Sequence, residues 1–179
     1  MIKRLMHYWT TRFEREFAYD ASYMHELIDL DARGFWHFSR AAYAGEYRAG
    51  LPMAAILAAK LAATLHEDCG PCAQLVVNFA DKAGMPAASV AALVRNDPAA
   101  AGPDAGLAFR FAQAVLTNAP ELTALREEVV ARFGRRGPPF LGFAIVVARM
   151  FPVLKRAMGH AHACVRLQVA GATVERRAA

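Results

Sequence analysis

Apolar residues recur three and four positions apart along most of the chain, which is the period of a helix with one buried face. Leu5, Tyr8, Trp9, Phe13 and Phe17 follow it and predict an amphipathic helix over residues 2–17, with Thr11 and Glu14 at capping-box spacing. Asp20 or Ser22 caps a second helical stretch, in which Met24, Leu27, Ile28, Phe35, Phe38 and Ala42 keep the period and Gly34 predicts a bend; it ends before Gly50. Pro52 suits the first turn of an alanine-rich helix reaching His66, and another helix runs from Cys69 to Ala83, stopped by Gly84 and Pro86. Further helices end before Asp97-Pro98, run from Asp104 to Thr117, and run from Pro120 to Gly134. The segment Gly-Arg-Arg-Gly-Pro-Pro at 134–139 reads as a loop. Residues 140–158 are apolar on nearly every face, with Pro152 predicting a kink. Such a helix must be buried in its own chain or against a second subunit, so a homo-oligomer is expected. No strand, repeat or low-complexity segment is predicted.

Composition agrees. The 179 residues are 56% hydrophobic and 21% charged, which excludes general disorder and suits one domain with a sizeable core. Alanine fills 39 positions while β-branched residues are sparse, so the fold class is all-α, a multi-helix bundle. It divides into an N-terminal helical extension (1–50), a core (51–170) and a frayed tail (171–179).

The net charge of +5 lies wholly in the last third, where ten basic residues face four acidic ones after position 120. Arg135-Arg136, Lys155-Arg156 and Arg176-Arg177 are too widely spaced for a phosphate-binding stripe, so no nucleic-acid partner is expected. The N-terminus lacks the apolar stretch of a signal peptide, and the two most apolar segments carry Lys60 and Arg149 and fall short of a bilayer span. A cytoplasmic protein with no membrane partner is expected. Three cysteines exclude a disulfide framework, and two within four residues point to redox or metal chemistry.

Those two are Cys69 and Cys72, in Cys-Gly-Pro-Cys at a predicted helix start. At i and i+3 they lie on one side and can close a disulfide across one turn, and the helix N-terminus favours the reactive thiolate. His66 and Glu67, just upstream, offer a proton acceptor and its partner. Glu67 and Asp68 also act the other way, because nearby negative charge raises a thiol pKa. The same tetrapeptide occurs in thioredoxins, where a buried strand precedes it; here Met53 to Ala63 reads as a helix, so that fold is not expected.

Helix, short turn, Cys-x-x-Cys and helix in an all-α chain resembles the alkyl hydroperoxidase D-like group of the carboxymuconolactone decarboxylase family, best over Leu51 to Pro98. The resemblance implies a thiol-dependent oxidoreductase, reducing alkyl hydroperoxides or exchanging disulfides, with an external thiol reductant and no cofactor. The family motif is Glu-x11-Cys-x2-Cys-x3-His. Cys69 and Cys72 match it, while the glutamate position falls on Leu57 and the histidine position on Val76, so His66 and Glu67 are the candidate substitutes. Family analogy makes Cys72 the attacking residue; the helix-end argument makes it Cys69.

Rival readings rest on other residues. Cys69, Cys72, His160 and Cys164 form a chemically reasonable zinc set, since His160 and Cys164 are i, i+4. The family's decarboxylation needs basic groups for carboxylate substrates, yet Lys60 and Lys82 are the only Lys or Arg between Ala49 and Val94. A non-catalytic helical oligomer with packed cysteines is the third alternative. His7, His25 and His37 read as packed or partly exposed, and Phe35-Trp36-His37-Phe38 with Tyr43 and Tyr47 as ordinary core.

Overall fold

The computed structural model describes residues 2–160 and 166–175. Its elements are α1 (Ile2–Phe17), α2 (Ser22–Leu30), α3 (Ala32–Ala44), α4 (Met53–His66), α5 (Gly70–Lys82), α6 (Ala87–Val94), a short 3-10 helix (Pro98–Ala101), α7 (Pro103–Thr117), α8 (Leu122–Phe133) and α9 (Gly137–Ala157). An antiparallel hairpin of β1 (Arg166–Val169) and β2 (Ala172–Glu175) follows. Among the described residues the protein is all-α apart from this hairpin.

The core forms around α4, which is buried from Ala55 to Ala59 and again from Leu61 to Leu65. Its alanines have little side chain to displace, so α5, α7 and α9 all pack on it. Close approach recurs at Gly45 after α3, where a Cβ would fall 2.4 Å from a Val147 methyl carbon of α9. The extension docks through aromatic contacts: Phe17 meets Phe79 of α5 edge-on at 4.8 Å between centroids, and Phe38 meets Phe151 of α9 at 5.3 Å.

Several expectations are corrected. The break in the second helical stretch falls at Asp31 rather than Gly34: Asp31 is extended, and its carboxylate accepts from the Arg33 N–H at 2.9 Å, capping α3. Gly137, Pro138 and Pro139 begin α9 instead of closing a loop, because proline has no N–H to leave unpaired in a first turn. α9 then runs through Pro152, and by length and composition it could cross a bilayer. Here it packs on α3, α4, α7 and α8.

Residues 172–175, expected to be frayed, are a strand instead. Ala170 and Gly171 both have positive φ and turn it back on β1, while Leu167, Val169 and Val174 are buried. Gln74 of α5 donates to the Gln168 carbonyl and accepts from its N–H, pairing the hairpin with the bundle. In the aromatic run read as core, Phe35 and Phe38 are half-buried, whereas Trp36, Tyr43 and Tyr47 are exposed.

The joint between extension and core contains a buried lysine. Lys155 of α9 places its ammonium 4.5 Å from the Tyr19 ring centroid and 4.9 Å from that of Tyr23, and donates to the Asp20 carbonyl. Burial pushes the Lys155 pKa down, and the Asp20 charge offsets only part of that. Burial also raises the Tyr19 phenol, to about 12, so the rings beside the ammonium stay neutral. A lysine whose folded pKa lies below its unfolded one opposes folding at neutral pH, and that cost disappears as pH rises towards the unfolded value. Lys155→Met is therefore expected to be at least as stable as the parent at pH 7, with the difference shrinking towards pH ~10. Denaturant melts across that range check it, and a Met variant that loses stability equally at every pH contradicts it.

Candidate functional site

The cysteine turn is built by the way α4 stops. Glu67 is its C-cap; the Asp68 N–H donates to Leu65 O at 3.1 Å and the Cys69 N–H to Thr64 O at 3.4 Å, a Schellman pair. This requires a left-handed residue at 68, and Asp68 supplies it with φ 53°, which aspartate tolerates better than most residues. The next residue turns extended and becomes the N-cap of α5. Cys69 thus closes one helix and opens the next, which fixes its backbone.

Cys69 and Cys72 are joined as a disulfide across the first turn of α5, with Cα atoms 5.3 Å apart. Each residue is only 4% exposed, so a large thiol or disulfide meets a steric barrier that a small molecule does not. An N-cap side chain is placed to accept from the N2 and N3 amides. Here N2 is Pro71, which has no N–H, leaving Cys72 as the donor at N3 for a Cys69 thiolate.

The two candidate helpers part company. His66 is exposed and lines a cavity of about 120 Å³ with Leu65, Leu93, Phe109 and Gln113, and neither cysteine lines it. Glu67 turns towards α9. Arg149 donates from Nε to Oε1 at 2.5 Å, and Arg156 donates to Oε2 and, at 2.9 Å, to the Glu67 carbonyl oxygen. Burial pushes the Glu67 carboxyl up, but hydrogen bonds from Arg156 and Arg149 outweigh it and hold the group below the usual carboxylate range. A carboxylate held by two guanidiniums is a poor proton shuttle. It is a strong anchor for the loop that ends at Cys69.

The clamp also alters the electrostatic argument. Glu67 and Asp68 alone would raise a neighbouring thiol pKa, yet Arg149 and Arg156 bring two positive charges to Glu67 and offset that effect. Both arginines come from a helix distant in sequence and keep nearly half their side-chain surface exposed. Sequence reasoning missed them. The available signal was an i, i+7 pair of arginines on one face of a mostly apolar helix.

Leu57 and Val76, at the family's glutamate and histidine positions, are buried in the main core and carry no proton. Of the zinc set, Cys69 and Cys72 are bonded to each other, His160 bonds Glu26 at 2.7 Å and Ser22 at 3.3 Å, and Cys164 lies outside the described residues. Among the described residues no group of three or more His, Cys, Asp or Glu side chains is arranged to hold a metal ion. No protein-family model, curated protein or solved structure matches this chain.

Proposed function

We propose that this chain is a thiol-dependent oxidoreductase whose working group is the Cys69/Cys72 pair, with a small organic hydroperoxide as the favoured substrate. The observation that carries the reading is the disulfide across the first turn of α5, with Cys69 at the N-cap where helix amides and the dipole stabilise a thiolate. In the reduced protein the Cys69 thiolate attacks the peroxide oxygen. It takes up OH as a sulfenic acid and releases the alkoxide, which leaves as the alcohol once protonated. The Cys72 thiol then displaces water from the sulfenic sulfur and forms the disulfide. The sum is ROOH plus two thiols giving ROH, water and a disulfide, and an external dithiol restores the pair by exchange. Burial of both cysteines favours a hydroperoxide over a protein disulfide as oxidant. The exposed Phe143, Val146 and Val153 on α9 are the surface we assign to contact between subunits of a homo-oligomer.

One observation favours a second reading. The basic groups that carboxymuconolactone-type decarboxylation needs, missing from the local sequence, are supplied next to the cysteine turn by Arg149 and Arg156, although both are engaged by Glu67. A hydroperoxide assay separates the two. With a supplied dithiol, the full chain is expected to consume cumene hydroperoxide with one dithiol oxidised per peroxide. No consumption, together with a Cys69–Cys72 disulfide that native protein does not exchange with the dithiol, removes the oxidoreductase reading.

A further inference from the structure

A surface helix ordinarily buries its apolar stripe, and α1 buries only part of it. Phe13 and Phe17 are packed against Tyr19 and Phe79. The same stripe continues through Ile2, Leu5 and Trp9, which stay 65%, 54% and 55% exposed, with Tyr8 beside them. Arg4, Arg12 and Arg15 are all exposed and border the apolar residues on one side, and the Arg12 guanidinium sits 5.6 Å from the Trp9 ring centroid.

Charge on this side is net positive. Of the helix's two acids, Glu14 turns inward to the Ala21 N–H and His25, while the exposed Glu16 pairs with Lys82 of α5 and also lies in the field of Arg12. Among the described residues the three arginines have no ion-pair partner. The helix is also held in place. His7 and His25 meet through their Nδ1 atoms at 2.6 Å, and their Nε2 atoms contact Asp29 and Glu14. The ring centroids are 4.9 Å apart, no more than that N···N distance plus two ring radii, so the imidazoles lie head to head in one plane. Lys3 adds a bond to the Asp29 carbonyl. The outward stripe is therefore presented preformed.

We propose that the outer face of α1 docks on an anionic lipid bilayer, with Ile2, Leu5 and Trp9 entering the headgroup boundary and Arg4, Arg12 and Arg15 meeting lipid phosphates. An apolar stripe with Trp, bordered by arginines, is the composition of an in-plane interfacial helix, and indole and phenol rings favour that boundary. A second copy related by a two-fold axis would set the arginines against one another, which disfavours that occupant. Docking needs no spanning segment, so the lack of one in the N-terminal region does not oppose it. The proposal is independent of the redox reading.

The test is co-sedimentation of full-length protein with phosphatidylglycerol/phosphatidylcholine vesicles and with pure phosphatidylcholine vesicles. A Trp36→Phe background makes Trp9 the only tryptophan. The expected result is binding to the anionic vesicles alone, weakened by salt, with a blue shift of Trp9 emission. Leu5→Ser/Trp9→Ser and Arg4→Glu/Arg12→Glu are each expected to weaken binding about tenfold or more while leaving the circular dichroism melt unchanged, because all four side chains are exposed. Three results overturn the proposal: no association with anionic vesicles, equal association with pure phosphatidylcholine, or undiminished binding by Leu5→Ser/Trp9→Ser. A drop in oligomer mass for that variant by light scattering also overturns it, by giving the stripe to a second copy.

Discussion

Cys69→Ser is expected to abolish hydroperoxide turnover and to leave no sulfenic acid after peroxide treatment. Cys72→Ser is expected to abolish turnover but to trap one sulfenic acid per chain, at Cys69. The asymmetry follows from the turn: Cys69 is the N-cap, where a thiolate gains the N3 amide and the helix dipole, while Cys72 lies inside the first turn as that amide's own residue. Losing a nucleophile costs about a thousandfold or more in rate, so either substitution is unmistakable in a coupled assay. Folding should survive both, because a bridge spanning one helical turn closes a very short loop and adds little by constraining the unfolded chain. Dimedone labelling read by mass spectrometry supplies the second measurement. Labelling at Cys72 in the Cys69→Ser protein would reverse the roles, and unchanged turnover in both variants would end the thiol mechanism.

Where helix limits depend on local chemistry, the chain could be read directly. The period from Leu5 to Phe17 gives α1 at its observed ends, and Pro52 and Gly134 mark the start of α4 and the end of α8. Reading failed where a side chain competed for the backbone or where a partner came from far away. Asp31 ended α2 by capping α3, which a search for glycine overlooks. The hairpin alternates Leu167, Val169 and Val174 inward at period two, but its strands are four residues each and its turn is Ala-Gly, not the commoner Asn-Gly. At the site, the cysteine pair and its place at a helix start were visible. The fate of Glu67 was not, because the residues that decide it stand 82 and 89 positions away on α9. Proximity in sequence paired Glu67 with His66, whereas the fold sends the carboxylate to α9 and leaves the imidazole at a cavity on α4.

Glu67→Gln tests that division, and its effect should appear in both stability and turnover. Glu67 is 7% exposed and accepts hydrogen bonds from two guanidiniums, so replacing the carboxylate removes charge-assisted bonds worth about 1.5–3 kcal/mol each before the arginines relax into solvent. Because both arginines are nearly half exposed, water recovers part of this, and a net loss of about 1–3 kcal/mol is expected. The pH dependence has a definite sign. A carboxyl whose folded pKa lies below its unfolded one stabilises the fold above the unfolded value of ~4.3, and that contribution is lost as pH falls through the folded pKa. The parent should therefore exceed Glu67→Gln in stability by its full margin at pH 7, and the margin should close below pH ~4. Denaturant melts at three pH values read it. For catalysis, a freed 67–69 turn moves Cys69 away from the α5 amides, so peroxide turnover should fall with the clamp while His66→Ala leaves it unchanged. If instead His66→Ala slows turnover and Glu67→Gln does not, the carboxylate is an anchor of the fold alone and the cavity beside His66 belongs to the reaction.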